Sequence, residues 1–182
     1  MAQTVPSSAA IRVIHDQNPS GLNRDSGRLD VCMTEQVLVA SCIKIMKTIV
    51  RGILAVIVGV IVGQAVNMAL ILLGPHIIPP PAGADMTTAE GLRASIHLLE
   101  PRHFIFPFLA HALGTCAGST AAFLIAASHR SIYAYAIGVI SLAGGVAAAF
   151  MFPAPTWFVV LDLVAAYIPM AWIATRLGRH KI

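Results

Sequence analysis

Four apolar runs constrain this chain more than any other feature of its sequence. They cover about 48–74 ("TIVRGILAVIVGVIVGQAVNMALILLG"), 104–127, 131–152 and 156–175. Each approaches or exceeds the roughly 20 residues that carry an α-helix across a bilayer. Inside lipid, only a helix or a closed barrel satisfies its own backbone groups. These runs lack the in–out alternation of a barrel strand. The expected fold class is therefore all-α: a four-helix transmembrane bundle. Composition agrees, since the 182 residues are 57% hydrophobic and 11% charged, with a mean hydropathy of +0.79. Soluble domains carry about 25% charged residues.

Topology follows from the basic residues near the span ends. Lys44, Lys47, Arg51, Arg130, Arg176, Arg179 and Lys181 fall on one side, and Arg93 and Arg102 on the other. Both termini are expected to be cytoplasmic. Basic residues placed this way also account for the +4 formal charge. No basic patch interleaved with aromatics suggests nucleic acid. The lipid bilayer is the expected partner, with a homo-oligomer or another membrane protein beside it.

Two segments lie outside the spans. Residues 1–45 include "DQNPSGLNRDSGRLD", which is polar and aperiodic, and are expected to form a disordered cytoplasmic tail. "MKTIVRGILAV", from Met46, reads as a natural start, so the preceding segment is either a dispensable tail or a start-site artefact. Residues 46–182 form the transmembrane domain. The connection 75–103 opens on "PHIIPPPAG", which three consecutive prolines keep extended. "TTAE" follows and fits a capping box with Thr87 as the cap and Glu90 reaching back. Leu92, Ile96 and Leu99 then recur at helical spacing, predicting a short amphipathic helix in this first outer loop. Glu100, Arg102 and His103 close the loop and are its candidate polar residues.

Three polar residues interrupt the spans at matching depth. Asp162, His111 and Asn67 each lie about seven residues in from the outer end of their run, roughly 10 Å below the boundary. Each sits on a face of small residues, of the kind that packs against helices rather than lipid. Ala55, Gly59 and Gly63 lead to Asn67, Gly114 and Gly118 follow His111, and Gly144 and Gly145 offer close approach on the third span. Ionisable groups at such depth are rare and mark functional sites. The expected polar intramembrane cluster is Asp162, His111 and Asn67, with His111 as the carboxylate's partner. A purely structural role, fixing helix order, stands beside a role in binding. Pro169 is expected to kink the fourth span and free the carbonyl of Ala165.

Other chemistry lacks its residues. Cys32, Cys42 and Cys116 form no CxxC pair, and the run before "VASC" is too short for a lipoprotein signal. His76, His97 and His103 match no metal-ligand spacing, so no metal or cofactor is expected. No GxSxG or phosphate loop is present, and Ser141 lies too deep to complete a triad with His111 and Asp162. Trp157, Trp172, Tyr133 and Tyr135 suit interfacial anchoring or packing.

"IIPPPAGADMTTAEGLRASIHLLEPRHFIFPFLAHALGT" and "PAPTWFVVLDLVAAYIPMAW" resemble a group of small four-span bacterial membrane proteins, over residues 46–178. The resemblance implies a bacterial inner-membrane location and carries no catalytic role to any residue. The sequence thus points to a non-enzymatic accessory or interaction component with a polar site near the outer face. The alternative is a small oligomeric transporter or proton-coupled carrier using Asp162 and His111.

Overall fold

A computed structural model describes residues 19–180, with side chains from Glu35 onward. The described residues contain helices and no strand: α1 (Pro19–Ile77), α2 (Ala89–Ser95), α3 (Ile105–Ile125), α4 (Arg130–Met151), α5 (Thr156–Ala165) and α6 (Ile168–Arg179). Short 3-10 turns, Ile96–Leu98 and Pro101–Phe104, link α2 to α3. The spans long and apolar enough to cross a membrane are Glu35–Ile77, Pro101–Ile125, Arg130–Met151 and Thr156–Arg179. The fold is the all-α four-helix bundle expected.

The chain divides into two compact units, 1–47 and 48–182. In the first, the backbone is helical from Pro19, whereas the expected tail reached residue 45; residues 1–18 lie outside the described residues. The difference has a local reason. Proline suits a first helical turn, and no other proline follows until Pro75. At the other end of α1, the Ile78 amide closes a last bond to the Gly74 carbonyl at 2.8 Å, and the Pro79–Pro81 run then forbids helix.

The second unit is built on close backbone approach. A Cβ added at Gly59 would stand 2.9 Å from the Gly118 carbonyl oxygen, and one at Gly63 3.0 Å from that of Gly114. Both GxxxG pairs therefore form one seam inside the monomer, between α1 and α3. Arg51 reinforces it by donating to the Ile125 carbonyl, 2.9 Å from Nη2, where the end of α3 leaves acceptors unpaired. The Ser119 hydroxyl, fully buried, donates to the Ala134 carbonyl at 3.0 Å and ties α3 to α4. Gly138 admits the methyl group of Ala171, so α4 lies close to α6. Large side chains such as Ile53, Leu72, Val139 and Val164 stay exposed, as surfaces meant for lipid do.

The amphipathic helix packs on the loop-side end of the bundle. Ile96, Phe104 and Phe158 are buried together, with Leu99, Phe108 and Phe152 against them. Arg93 Nε donates to the Met151 carbonyl at 2.6 Å, fastening α2 to the end of α4. One expectation needs correction: the N-cap is Thr88, whose hydroxyl accepts from the Gly91 amide at 2.9 Å. Thr87 is occupied instead with Asp85, bonding Oδ1 through both its hydroxyl (2.6 Å) and its amide (2.8 Å). Asp85 thus does the bracing expected of Glu90.

Candidate functional site

Asp162 sits on α5, three residues before that helix ends, and its side chain is 6% exposed. His111 sits on the second turn of α3. Its Nδ1 lies 2.9 Å from both carboxylate oxygens. A third group completes the arrangement: the Tyr167 hydroxyl donates to Asp162 Oδ2 at 2.7 Å and lies 3.0 Å from His111 Nδ1. A proton count fixes the roles. The phenol has one hydrogen and gives it to the carboxylate. Nδ1–H then donates to the carboxylate and, more weakly, to the phenol oxygen. An ionised carboxylate accepts from both and needs no proton of its own. In the neutral ring this tautomer leaves Nε2 with a lone pair. No protein group among the described residues bonds Nε2.

The local fold explains why Tyr167 can reach. Pro169 has no N–H to return to the Ala165 carbonyl, and its ring excludes a continuous helix. The fourth span accordingly breaks at Ala166–Tyr167, between α5 and α6, where sequence reading expected only a kink. Tyr167 adopts φ −117° and ψ −78°, off the helical track, and its hydroxyl turns back toward Asp162. The hydroxyl occupies the space that a Cβ on Gly145 would need. Gly145 is thus a glycine for the sake of a tyrosine on the neighbouring span. The backbone of the joint stays bonded, with the Ala166 amide on the Asp162 carbonyl and the Ala171 amide on that of Tyr167, both at 2.9 Å.

Two expected members behave differently. Asn67 does not join the pair. The Gly63–Gly114 crossing holds its Cβ against α3, and its Oδ1 is buried without a hydrogen-bond partner. Gly144 packs against nothing: a Cβ there would meet open space, because one helical step from Gly145 turns it away from α6. Asn67 and Gly144 instead line a central cavity of about 390 Å³, together with Gln64, Thr115, Ser141 and His111.

A second, larger cavity of about 450 Å³ lies on the loop side. Its walls are mostly apolar; the polar side chains lining it are His111 and Asp162 together with His76 and His103. His111 therefore borders both spaces. Of the loop candidates, His103 lines this chamber and holds its rim. His103 Nδ1 accepts from the Glu100 amide at 3.0 Å, and Nε2–H donates to the Pro79 carbonyl at 3.1 Å. The ring thereby pins the proline run to the start of α3. Arg102 and Glu100 form an exposed ion pair at 3.0 Å, of the kind worth about 0–1 kcal/mol.

Sequence reasoning missed Tyr167. Its signal was present: a tyrosine five residues after the buried carboxylate and two before a mid-span proline.

Fold and site together define a multi-pass integral membrane protein with a buried carboxylate–imidazole–phenol triad between two cavities. Comparison with protein-family models, curated proteins and solved structures finds no match.

Proposed function

We propose that this chain is a non-enzymatic component of a bacterial inner membrane, with both termini cytoplasmic, that binds a ligand or a partner's polar group at Asp162 and His111. One observation carries the reading: His111 lines both cavities, and no protein group among the described residues bonds its Nε2. A carboxylate kept only to fix helix order needs no such opening. The cost supports the same view. An Asp at a helix centre costs about 2.5–3.5 kcal/mol to insert and less toward the boundary, where Asp162 lies, while polar contacts in membranes return about 0.6 kcal/mol on average. The resemblance to small four-span bacterial proteins supports the location, and the unequal distribution of Lys and Arg supports the orientation.

The test is recovery of wild type and His111→Ala from native membranes under mild extraction, with mass spectrometry of whatever accompanies them. A stoichiometric small molecule or membrane protein, lost from the variant, is the expected result. Identical material from both proteins overturns the reading.

A second reading, an oligomeric proton-coupled carrier using Asp162 and His111, is favoured by the break in the fourth span beside the site. Discontinuous helices are where transporters place substrate and ion sites. pH-dependent uptake into vesicles, abolished by Asp162→Asn, would select it over the first.

A further inference from the structure

We infer that the loop-side chamber takes a lipophilic amine: an apolar body with a protonated nitrogen at one end. The inference rests on the binding reading above and adds the class of ligand. Three observations carry it.

The first is size and shape. A concave space of about 450 Å³ with mostly apolar walls falls within the range that holds drug-sized molecules. It lies between the amphipathic helix and the triad; His76 and His103 also line it, but both ring nitrogens of His103 are taken by the Glu100 amide and the Pro79 carbonyl, so an occupant has an apolar body and its charged contact at Asp162.

The second is charge. Among the described residues, Asp162 is the one carboxylate lining the chamber and no lysine or arginine lines it; the other titratable side chains in its wall are His76, His103 and His111. His111 and Tyr167 both serve the carboxylate as hydrogen-bond donors without cancelling its charge when the ring is neutral. Oδ2 already accepts from the phenol and the imidazole, but Oδ1 accepts from the imidazole alone and keeps a further lone pair, and His111 Nε2 offers another acceptor. The polar end therefore presents negative charge and acceptors, which an ammonium group complements with three donors. A phosphate or carboxylate head would meet repulsion there and find no guanidinium to hold it. This argues against a phospholipid head.

The third is the wall itself. Phe104, Phe106, Phe152 and Phe158 line the chamber, and the faces of aromatic rings attract cations. Aliphatic walls alone would hold an apolar body equally well without favouring a cation.

The experiment uses the full chain in nanodiscs of zwitterionic lipid, with empty discs as the control for partitioning. The probes share one biphenylbutyl body and end in a primary amine, an alcohol or a carboxylate. Binding is measured by calorimetry near neutral pH. The amine should bind at least tenfold more tightly than the alcohol, and the carboxylate weakest. Asp162→Asn should erase the preference while the alcohol still binds. Because that variant also removes a hydrogen-bonded group from the fold, Ala149→Trp, which fills the chamber from α4, serves as the second variant and should block all three probes. Equal binding of amine and alcohol, or tighter binding of the carboxylate, overturns the amine assignment; if Ala149→Trp still blocks, the binding site itself stands. Absence of saturable binding by any probe also overturns the assignment. The ligand recovery from native membranes then decides the binding reading by itself.

Discussion

The hydroxyl of Tyr167 fills the space in which a side chain on Gly145 would begin. This contact couples α4 to the joint of the fourth span, and through the phenol to Asp162. Gly145→Ala should therefore displace the phenol and destabilise the protein by about 1–3 kcal/mol, the usual range for overpacking. Gly144→Ala, one residue earlier and facing open space, should change stability by less than about 0.5 kcal/mol. Unfolding in detergent compares the two, and equal effects would contradict the packing described.

The triad makes a coupled prediction. Removing the imidazole in His111→Ala leaves a buried carboxylate short of one donor, which should cost about 1–3 kcal/mol. In a cycle with Asp162→Asn, the interaction term should reach about 0.6 kcal/mol or more. Tyr167→Phe should lower stability by a similar amount to a single lost hydrogen bond to a charged group, about 1.5–3 kcal/mol. Additive effects of the His111 and Asp162 changes would show that the two side chains do not interact.

At the α1–α3 seam, backbone meets backbone. A Cβ at residue 118 would stand 2.5 Å from the Gly59 carbonyl oxygen, which has no flexible end to move aside. Gly118→Ala should push the helices apart, and Gly118→Val further. Disulfide trapping between cysteines placed at 55 and 122 should slow in the order wild type, Ala, Val. No change in trapping rate would place the seam elsewhere.

Asp85 gives the loop a dependence on pH. Its hydrogen bonds, first from the Thr87 hydroxyl and then from the Thr87 amide, hold its carboxyl below the ordinary value of 3.8. The sign follows from linkage: a lowered folded-state pKa contributes stability above the unfolded value, and that stability is lost as pH falls through the folded one. Amide exchange in residues 85–95 should thus be constant from neutral pH down to about pH 4, the ordinary range of an aspartate, after correction for intrinsic rates. Below that, protection should fall. Asp85→Asn should remove the acid step, and an unchanged step would assign it to another group.

How much of this was legible depends on range. The spans could be read because twenty apolar residues have few other uses. The Asp162–His111 pair could be read because helical rise converts sequence position into depth, and equal depth on small-residue faces implies meeting. Tyr167 could not, since its reach depends on where the fourth span breaks and on a glycine of another helix. Asn67 shared depth with the pair but not direction: the Gly63–Gly114 crossing sets its azimuth, and sequence does not encode that angle. The cap shifted from Thr87 to Thr88 because adjacent threonines satisfy the same pattern, and Asp85 had already taken the first.

The gap between α5 and α6 has a mechanical consequence. A continuous helix fixes the angle between its two halves by its own main-chain ladder; at Ala166–Tyr167 that ladder is interrupted, and only the bonds flanking the joint remain. The phenol is then a brace across the joint: it is rooted beside α6 and grips Asp162 on α5, so a side chain does the fixing that an unbroken helix axis would otherwise do.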